Sequence, residues 1–547
     1  MRPRTTLRRV LLLPSLKSPT STRTFTRNST AFSGSRPQLP FLAVPAFSRP
    51  QWRYLTTERK RWLKYEFMLG VKYTLYFWAM LGCVGAAYFA IQQELLERKF
   101  PTPHEWAFKT RMLLRGAENE KERKDTATPD WVLIIQLLKD VLERLEDPNI
   151  DGTNVKKLSP DHPAGSKDIS AMPEPWRRGY FETLLLYAKA SEQMEGWVLD
   201  KTRGILFPPE VVIGPSNPQP RPIPPGAKSA PREEDCVPAG FPTPDEVYLK
   251  LLSTEGFTTR QRMEAALAYA SWLEYKQLFG PAGIIYEDAV NMAIEDTYRP
   301  GMPMLIDPNT GIINEVAGKP SANLLESLTA LATFKARHED ISSALPIMIS
   351  LLKARRSLPT TATKRDTFVA GDSTNLGGKI LGLIQPPPYP PPPDDGAAPP
   401  VRDPRELCEE AALHIHIGEI MYALQPSSRE EGVAWTREGV DIAEEQLHKL
   451  SQNASDHAGK TTCRECLSTG LDNWFTMVSN LAAEEERKKS SSGSKSSWLG
   501  LWGDGKPEES GRWAAEKKVV NDRIKRAQDV LEDLEAPAVG FSSVFKA

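Results

Sequence analysis

The stretch that most constrains this chain runs from Tyr73 to Ile91, YTLYFWAMLGCVGAAYFAI. It is 19 residues without a charge, and no other such run occurs in the 547. As a helix it would be about 28 Å long, close to the hydrocarbon thickness of a bilayer. Tyr73, Tyr76, Phe77 and Trp78 crowd its upstream end and Tyr88 and Phe89 its downstream end, the two levels at which interfacial aromatics sit. One membrane crossing is expected, and a multi-span transporter does not fit a single run. Gly82, Gly85 and Ala86 form a small-residue face suited to packing on another transmembrane helix.

What flanks the run gives it a direction. Residues 1–57 hold ten Lys or Arg and no Asp or Glu; with a net charge of −1 overall, the other 490 residues sum to −11. The first 54 residues are rich in Arg, Ser and Thr and free of acids, the composition of a mitochondrial transit peptide. A secretory signal fits less well, because the apolar core VLLLP is short and ends at Pro14. Arg53-Tyr54 resembles a matrix-peptidase site, so the mature chain is expected to begin near Leu55. Arg59, Lys60, Arg61, Lys64 and Lys72 precede the span, and positive charge stays on the matrix side. The acidic body is then expected in the intermembrane space. Its charge argues against a nucleic-acid binder, which needs a basic face.

Downstream, strand-like alternation is scarce and helical periodicity recurs, so the expected class is all-α. Trp131, Ile134, Ile135, Leu138, Val141, Leu142 and Leu145 share one face of a helix that ends before Pro148. PEPWRRGYFETLLLYAKASEQMEGWVLDKTRG reads as one further helix, with Pro175 at its start and Gly204 at its end. Three helix pairs follow, around Gly280, around Glu339 and across residues 406–450, then a helix over 461–489 and a charged one at the end. The layout is a transit peptide (1–54), a basic matrix-side segment (55–72), the span (73–91), a juxtamembrane linker (92–128), a helical domain (129–487), a flexible linker (488–511) and a C-terminal helix (512–535). Pro-rich insertions interrupt the helical domain near 208–244 and 359–404; proline is abundant, at 47 residues.

The pairs carry a pattern of small and large residues. In the first, Ala266, Tyr269, Ala270 and Leu273 precede the turn, and Ala282, Tyr286 and Ala289 follow it. The second has Leu328, Leu331 and Ala332, then Ala344, Met348 and Leu351, with Lys335 standing where a large apolar residue is expected. The third has Ile417, Gly418 and Met421, then Gly432, Thr436 and Gly439 across a longer turn. This resembles the tetratricopeptide (TPR) helix–turn–helix, in a degenerate form with long loops. The expected fold is a TPR-like solenoid with a concave surface for peptides or partners, set against a generic helical bundle.

No catalytic set stands out: there is no GxxxxGK[ST], HExxH or GxSxG motif. His414 and His416 lie two apart and point in different directions on a helix, while His416 and Glu419 share a face. Of five cysteines, Cys83 lies in the span, and Cys463-Arg-Glu-Cys466 is a lone CxxC. The latter reads as a thiol pair, either a structural disulfide or two helix-packing thiols, rather than zinc. Asn28 and Asn453 head glycosylation sequons that import into mitochondria would make irrelevant. Pro386–Pro393 reads as a polyproline II helix for an aromatic groove, or as a spacer.

The lead-in ERKRWLKYEFMLGVKYTLYFWAMLGCVG, the segment ERKFPTPHEW after it and CRECLSTGLDNWFTMVSNLAAE resemble the TPR-containing adaptor subunits of the fungal mitochondrial inner-membrane i-AAA protease, from about Thr57 onward. The resemblance implies a non-enzymatic subunit with no cofactor or metal. Such a subunit binds unfolded client proteins and delivers them to the ATP-dependent protease beside a second adaptor. The alternatives are an assembly or import factor built on the same scaffold, and an enzyme.

Overall fold

In the computed structural model the described residues are 56–123, 128–158, 165–223, 229–297, 303–307, 310–314, 317–338, 341–360, 389–451, 457–493 and 511–535. The expected transit peptide, Asn28, Asn453 and Pro386 to Pro388 lie outside them. The first element, α1 (Thr57–Lys99), is far longer than the apolar run and takes in part of the basic segment before it and part of the linker after it. It is the one helix, among the described residues, long and apolar enough to cross a membrane, and none of its apolar window is buried. The chain divides inside α1, between Val84 and Gly85. The described part of the first unit is helix, and every packed core belongs to the second.

The second unit is built of helices in chain order: α2 (Phe108–Lys121), α3 (Trp131–Glu146), α4 (Glu174–Gln193), α5 (Pro244–Ser253), α6 (Thr259–Tyr275), α7 (Phe279–Thr297), α8 (Ala322–His338), α9 (Ile341–Arg356), α10 (Pro404–Leu424), α11 (Arg429–Ser451), α12 (His457–Gly493) and α13 (Arg512–Glu535). Their starts follow local chemistry. Asp130 caps α3, accepting from Val132 and Leu133 N–H. Thr258 and Gln261 form a reciprocal capping box on α6, and Asp403 with Pro404 opens α10. From α2 onward each helix packs on the next in sequence.

Several expectations needed correction. The helix expected over residues 173–204 stops at Gln193, because Gly196 takes φ +76°, a left-handed conformation that suits glycine. The rest forms a hairpin of β3 (Val198–Asp200) and β4 (Ile205–Phe207), turned through Gly204, and β5 (Cys236–Pro238) pairs with the other edge of β3. A shorter ladder joins β1 (Lys156–Lys157) to β2 (Lys167–Asp168). The expected linker holds α2, whose polar sequence hides its buried face of Thr110, Leu114, Arg115 and Ala117. The packed body also runs past residue 487, since Trp513, Val520 and Ala527 of α13 are core.

Two apolar cores share one wall. The first runs from Trp106 through α9 and takes Leu413, Ile417 and Ile420 from α10; the second takes Cys408, Ala411 and Ile415 from the other face of α10 and continues through α11, α12 and α13. The exit from α1 is anchored to the first core. The buried Glu97 carboxylate accepts from Thr102 N–H (3.1 Å), Thr102 Oγ1 (3.0 Å) and Arg111 (2.8 Å), and pairs with Arg115. Burial pushes this carboxyl up, but these partners outweigh it and hold it below the usual range. Just beyond, Pro103 and Trp106 press on Gly179 of α4, where a Cβ would stand 2.6 Å from Pro103 Cγ.

Candidate functional site

The sequence-selected packing residues sit inside the helix pairs. Ala266, Tyr269, Ala270 and Leu273 of α6 and Ala282, Tyr286 and Ala289 of α7 are buried, as are Leu331 and Ala332 of α8 and Ala344 of α9. The large residue missing at Lys335 is supplied one position earlier. Phe334 is fully buried and lies 5.0 Å from Tyr286, while Lys335 turns out to reach Glu287. In α10–α11 the backbones themselves touch: a Cβ on Gly432 would stand 2.7 Å from Gly418 O and from Tyr422 N. These residues build the scaffold and leave no reactive group open.

Three other selections resolve differently. Cys463 does not pair with Cys466 but with Cys408 of α10, 55 residues away. Cys463 and Cys466 stand one turn apart on α12, and it is Cys463 that faces α10. Cys466 is buried as a free thiol and pushed up to about 12 by that burial, chiefly, and by Glu409, so it is a packing group rather than a nucleophile. His416 meets Glu419 at 3.3 Å, whereas His414 is wholly buried, 2.9 Å from Arg356, with its ring tilted against that of Trp435 at 5.1 Å. Gly82, Gly85 and Ala86 are exposed, and no atom lies within 4 Å of a Cβ built on Gly82 or Gly85.

A cavity of about 270 Å³ lies between α3, α4 and α5, lined in part by Lys139, Glu143, Glu146, Tyr187 and Lys250. Its buried charges are spent on one another. Glu146 pairs with Lys250 (2.5 Å) and Lys167 (3.2 Å) and accepts from Tyr180 (3.1 Å). Burial raises its carboxyl, and the two lysines more than reverse that.

A different arrangement covers the outer face of α4 and the start of α8. Glu174, Arg178 and Glu182 repeat at i, i+4 and i+8 and so share one side of α4. Arg178 donates to two consecutive backbone carbonyls of the Pro-rich insertion, Pro391 at 2.9 Å and Pro390 at 2.6 Å, and its guanidinium lies 4.3 Å from the centre of the Tyr389 ring. Further along, the Asn323 side chain donates to Asp395 O (2.8 Å), its backbone N–H to Gly396 O (3.1 Å), and Ala322 N–H to Ala398 O (3.2 Å). The insertion thereby satisfies N–H groups at the start of α8. Arg260 of α6 steadies Asn323, donating to its Oδ1 at 3.1 Å.

Electrostatically this face is acidic. Glu182 keeps contact with solvent, yet it lies in a hollow where burial, chiefly, pushes its carboxyl up to about 7. Arg178 opposes the rise, and Glu118 of α2, Glu264 of α6 and Glu174 reinforce it. Tyr389 beside it is pushed up to about 12, mainly by burial. Its donors are aimed at a peptide backbone. The polyproline motif was visible in the sequence, but its partner Arg178, inside EPWRRGYF, carries no local signal. No protein-family model, curated protein or solved structure matches the chain.

Proposed function

We propose that this protein is a non-enzymatic adaptor of protein quality control in the mitochondrial inner membrane. It holds a TPR-like scaffold in the intermembrane space, binds unfolded clients there, and delivers them to an ATP-dependent i-AAA protease beside a second adaptor. The observation that carries the reading is α1, a helix whose apolar window is wholly exposed and which runs on to an anchored exit and a series of helix pairs. A chain built this way spends one crossing on tethering and the rest on surface. The sequential packing of the pairs, with buried small residues at their contacts, supports the solenoid reading. The acid-free leader and the basic residues before the span support the direction of insertion.

The Cys408–Cys463 disulfide supports placing the body in an oxidising compartment rather than the matrix. The test has two parts. The C-terminal body is expected to resist protease in intact mitochondria and to be degraded once the outer membrane is opened; protection after opening would overturn the topology. The protein is expected to co-purify with an inner-membrane AAA protease, and its deletion to slow turnover of a misfolded inner-membrane client. Normal client turnover without any associated protease would end the adaptor reading.

A further inference from the structure

We propose that the face made by Arg178, Arg260 and Asn323 is a binding site for extended, proline-rich segments of partner proteins, and that residues 389–398 occupy it as a built-in ligand which such a segment displaces. This deepens the adaptor reading by naming where a client would dock, and it rests on that reading for the client's role.

The contacts themselves say what fits. The hydrogen bonds described between this face and the strap end on backbone carbonyls, those of Pro390, Pro391, Asp395, Gly396 and Ala398. A proline offers a carbonyl and no N–H, so the groups that meet the strap, a guanidinium, an amide NH2 and helix-start N–H groups, all donate and match a proline-rich backbone. The matching end group is aromatic, because the Arg178 plane that holds the carbonyls also stacks on Tyr389. Since these contacts read the backbone and one ring, they accept other sequences of that outline. A polyproline II segment is already extended, so docking it costs little ordering entropy.

The strap is also placed as an occupant rather than as core. Pro391 through Asp395 remain exposed, whereas Arg178 beneath them is buried. One position holds the strap in register. Gly396 has φ +71°, and a Cβ there would run into the Asn323 amide, with Arg260 Nη1 at 3.3 Å. Alanine at 396 is therefore strained in its backbone and blocked in space, while no group of the docking face is altered. The site lies next to Gly179, and hence beside the Pro103–Trp106 turn that leaves α1. A segment bound there would sit near the point where the chain leaves α1.

The experiment uses the full chain in detergent and a fluorescein-labelled peptide of residues 389–400, YPPPPDDGAAPP. Wild type is expected to bind weakly, because its own strap competes. Gly396→Ala is expected to bind about ten-fold more tightly, the factor by which a site nine-tenths occupied in cis is freed. Arg178→Ala combined with Gly396→Ala is expected to lose that binding. Arg178→Lys, which keeps the charge and stem but not the planar fork, is expected to lose most of it too, so a folding defect in the alanine variant does not decide the matter. Equal peptide binding by wild type and a folded Gly396→Ala chain would overturn the proposal, as would binding indifferent to both Arg178 substitutions. Peptide binding as expected with no associated protease leaves the site standing and removes the adaptor reading. Protease association and client turnover unaffected by Arg178→Lys would do the reverse.

Discussion

The α6–α7 and α10–α11 pairs meet the same demand, two helices brought side by side, by different means. In α6–α7 alanines alternate with tyrosines, and the rings carry contacts onward: Tyr269 lies 5.2 Å from Tyr248, and Tyr286 lies 5.0 Å from Phe334. In α10–α11 there is no room for a side chain at the crossing. Gly418, Gly432 and Gly439 each face backbone atoms of the opposite helix closer than 3 Å from where a Cβ would be. One seam is filled by side chains that have rotamers to spend; the other is closed by backbone, which has none. Small residues at equivalent spacing therefore do not imply equal tolerance.

The sharpest way to break this comparison is Gly432→Leu. With Gly418 O and Tyr422 N at the site of its Cβ, the helices must part, and a loss of about 4 kcal/mol or more is expected. Hydrogen exchange over α10–α12 should rise while α2–α5 keeps its protection; unchanged exchange would refute the tight seam. Tyr286→Ala in the other pair should cost about 3 kcal/mol through a cavity and a lost ring contact. A denaturant midpoint indistinguishable from wild type would mean that the α7–α8 contact is not part of the core. Cys408→Ser, which opens the staple across α10 and α12, should cost about 2 kcal/mol, and reductant should lower the wild-type midpoint while leaving the variant's unchanged. Reductant without effect on wild type would count against a formed disulfide.

The smallest effect belongs to neither seam but to the open face. Glu182 is pushed from 4.5 up to about 7 in the folded chain, so the folded state holds its proton more tightly than the unfolded state does. The contribution is fully present below about 4.5 and is lost as pH rises through about 7. Because Glu182 still meets solvent, the loss is modest. Glu182→Gln should flatten the fall in melting temperature between pH 5 and 8, and an identical slope in the two proteins would contradict the assigned crowding by Glu118, Glu174 and Glu264.

Much of the helical outline was legible from local pattern. The stripe from Trp131 to Leu145 marked α3, and the small residues around Gly280 and across Gly418 and Gly432 marked two pairs. α2 was missed because its buried face is mixed with Lys, Arg and Glu. α5 was missed because ten residues are too few to show periodicity, although Thr243-Pro244-Asp245-Glu246 is a helix-start signature that would have found it. The candidate binding face was only half legible: the prolines stood out, and the arginine that holds them did not.

The sequence by itself determined the one apolar run long enough to cross a membrane, the charge asymmetry around it, most of the helices and the small residues inside their pairs. Each of these depends on neighbours a few positions away, where one turn of helix or one bilayer thickness sets the spacing. Only the tertiary structure decided that Cys463 joins Cys408 rather than Cys466, that Phe334 fills the place left by Lys335, and that Arg178 binds Pro390 across 212 residues. Those partners are chosen by which helix faces are brought together when the cores close. That choice is collective, and no local spacing encodes it.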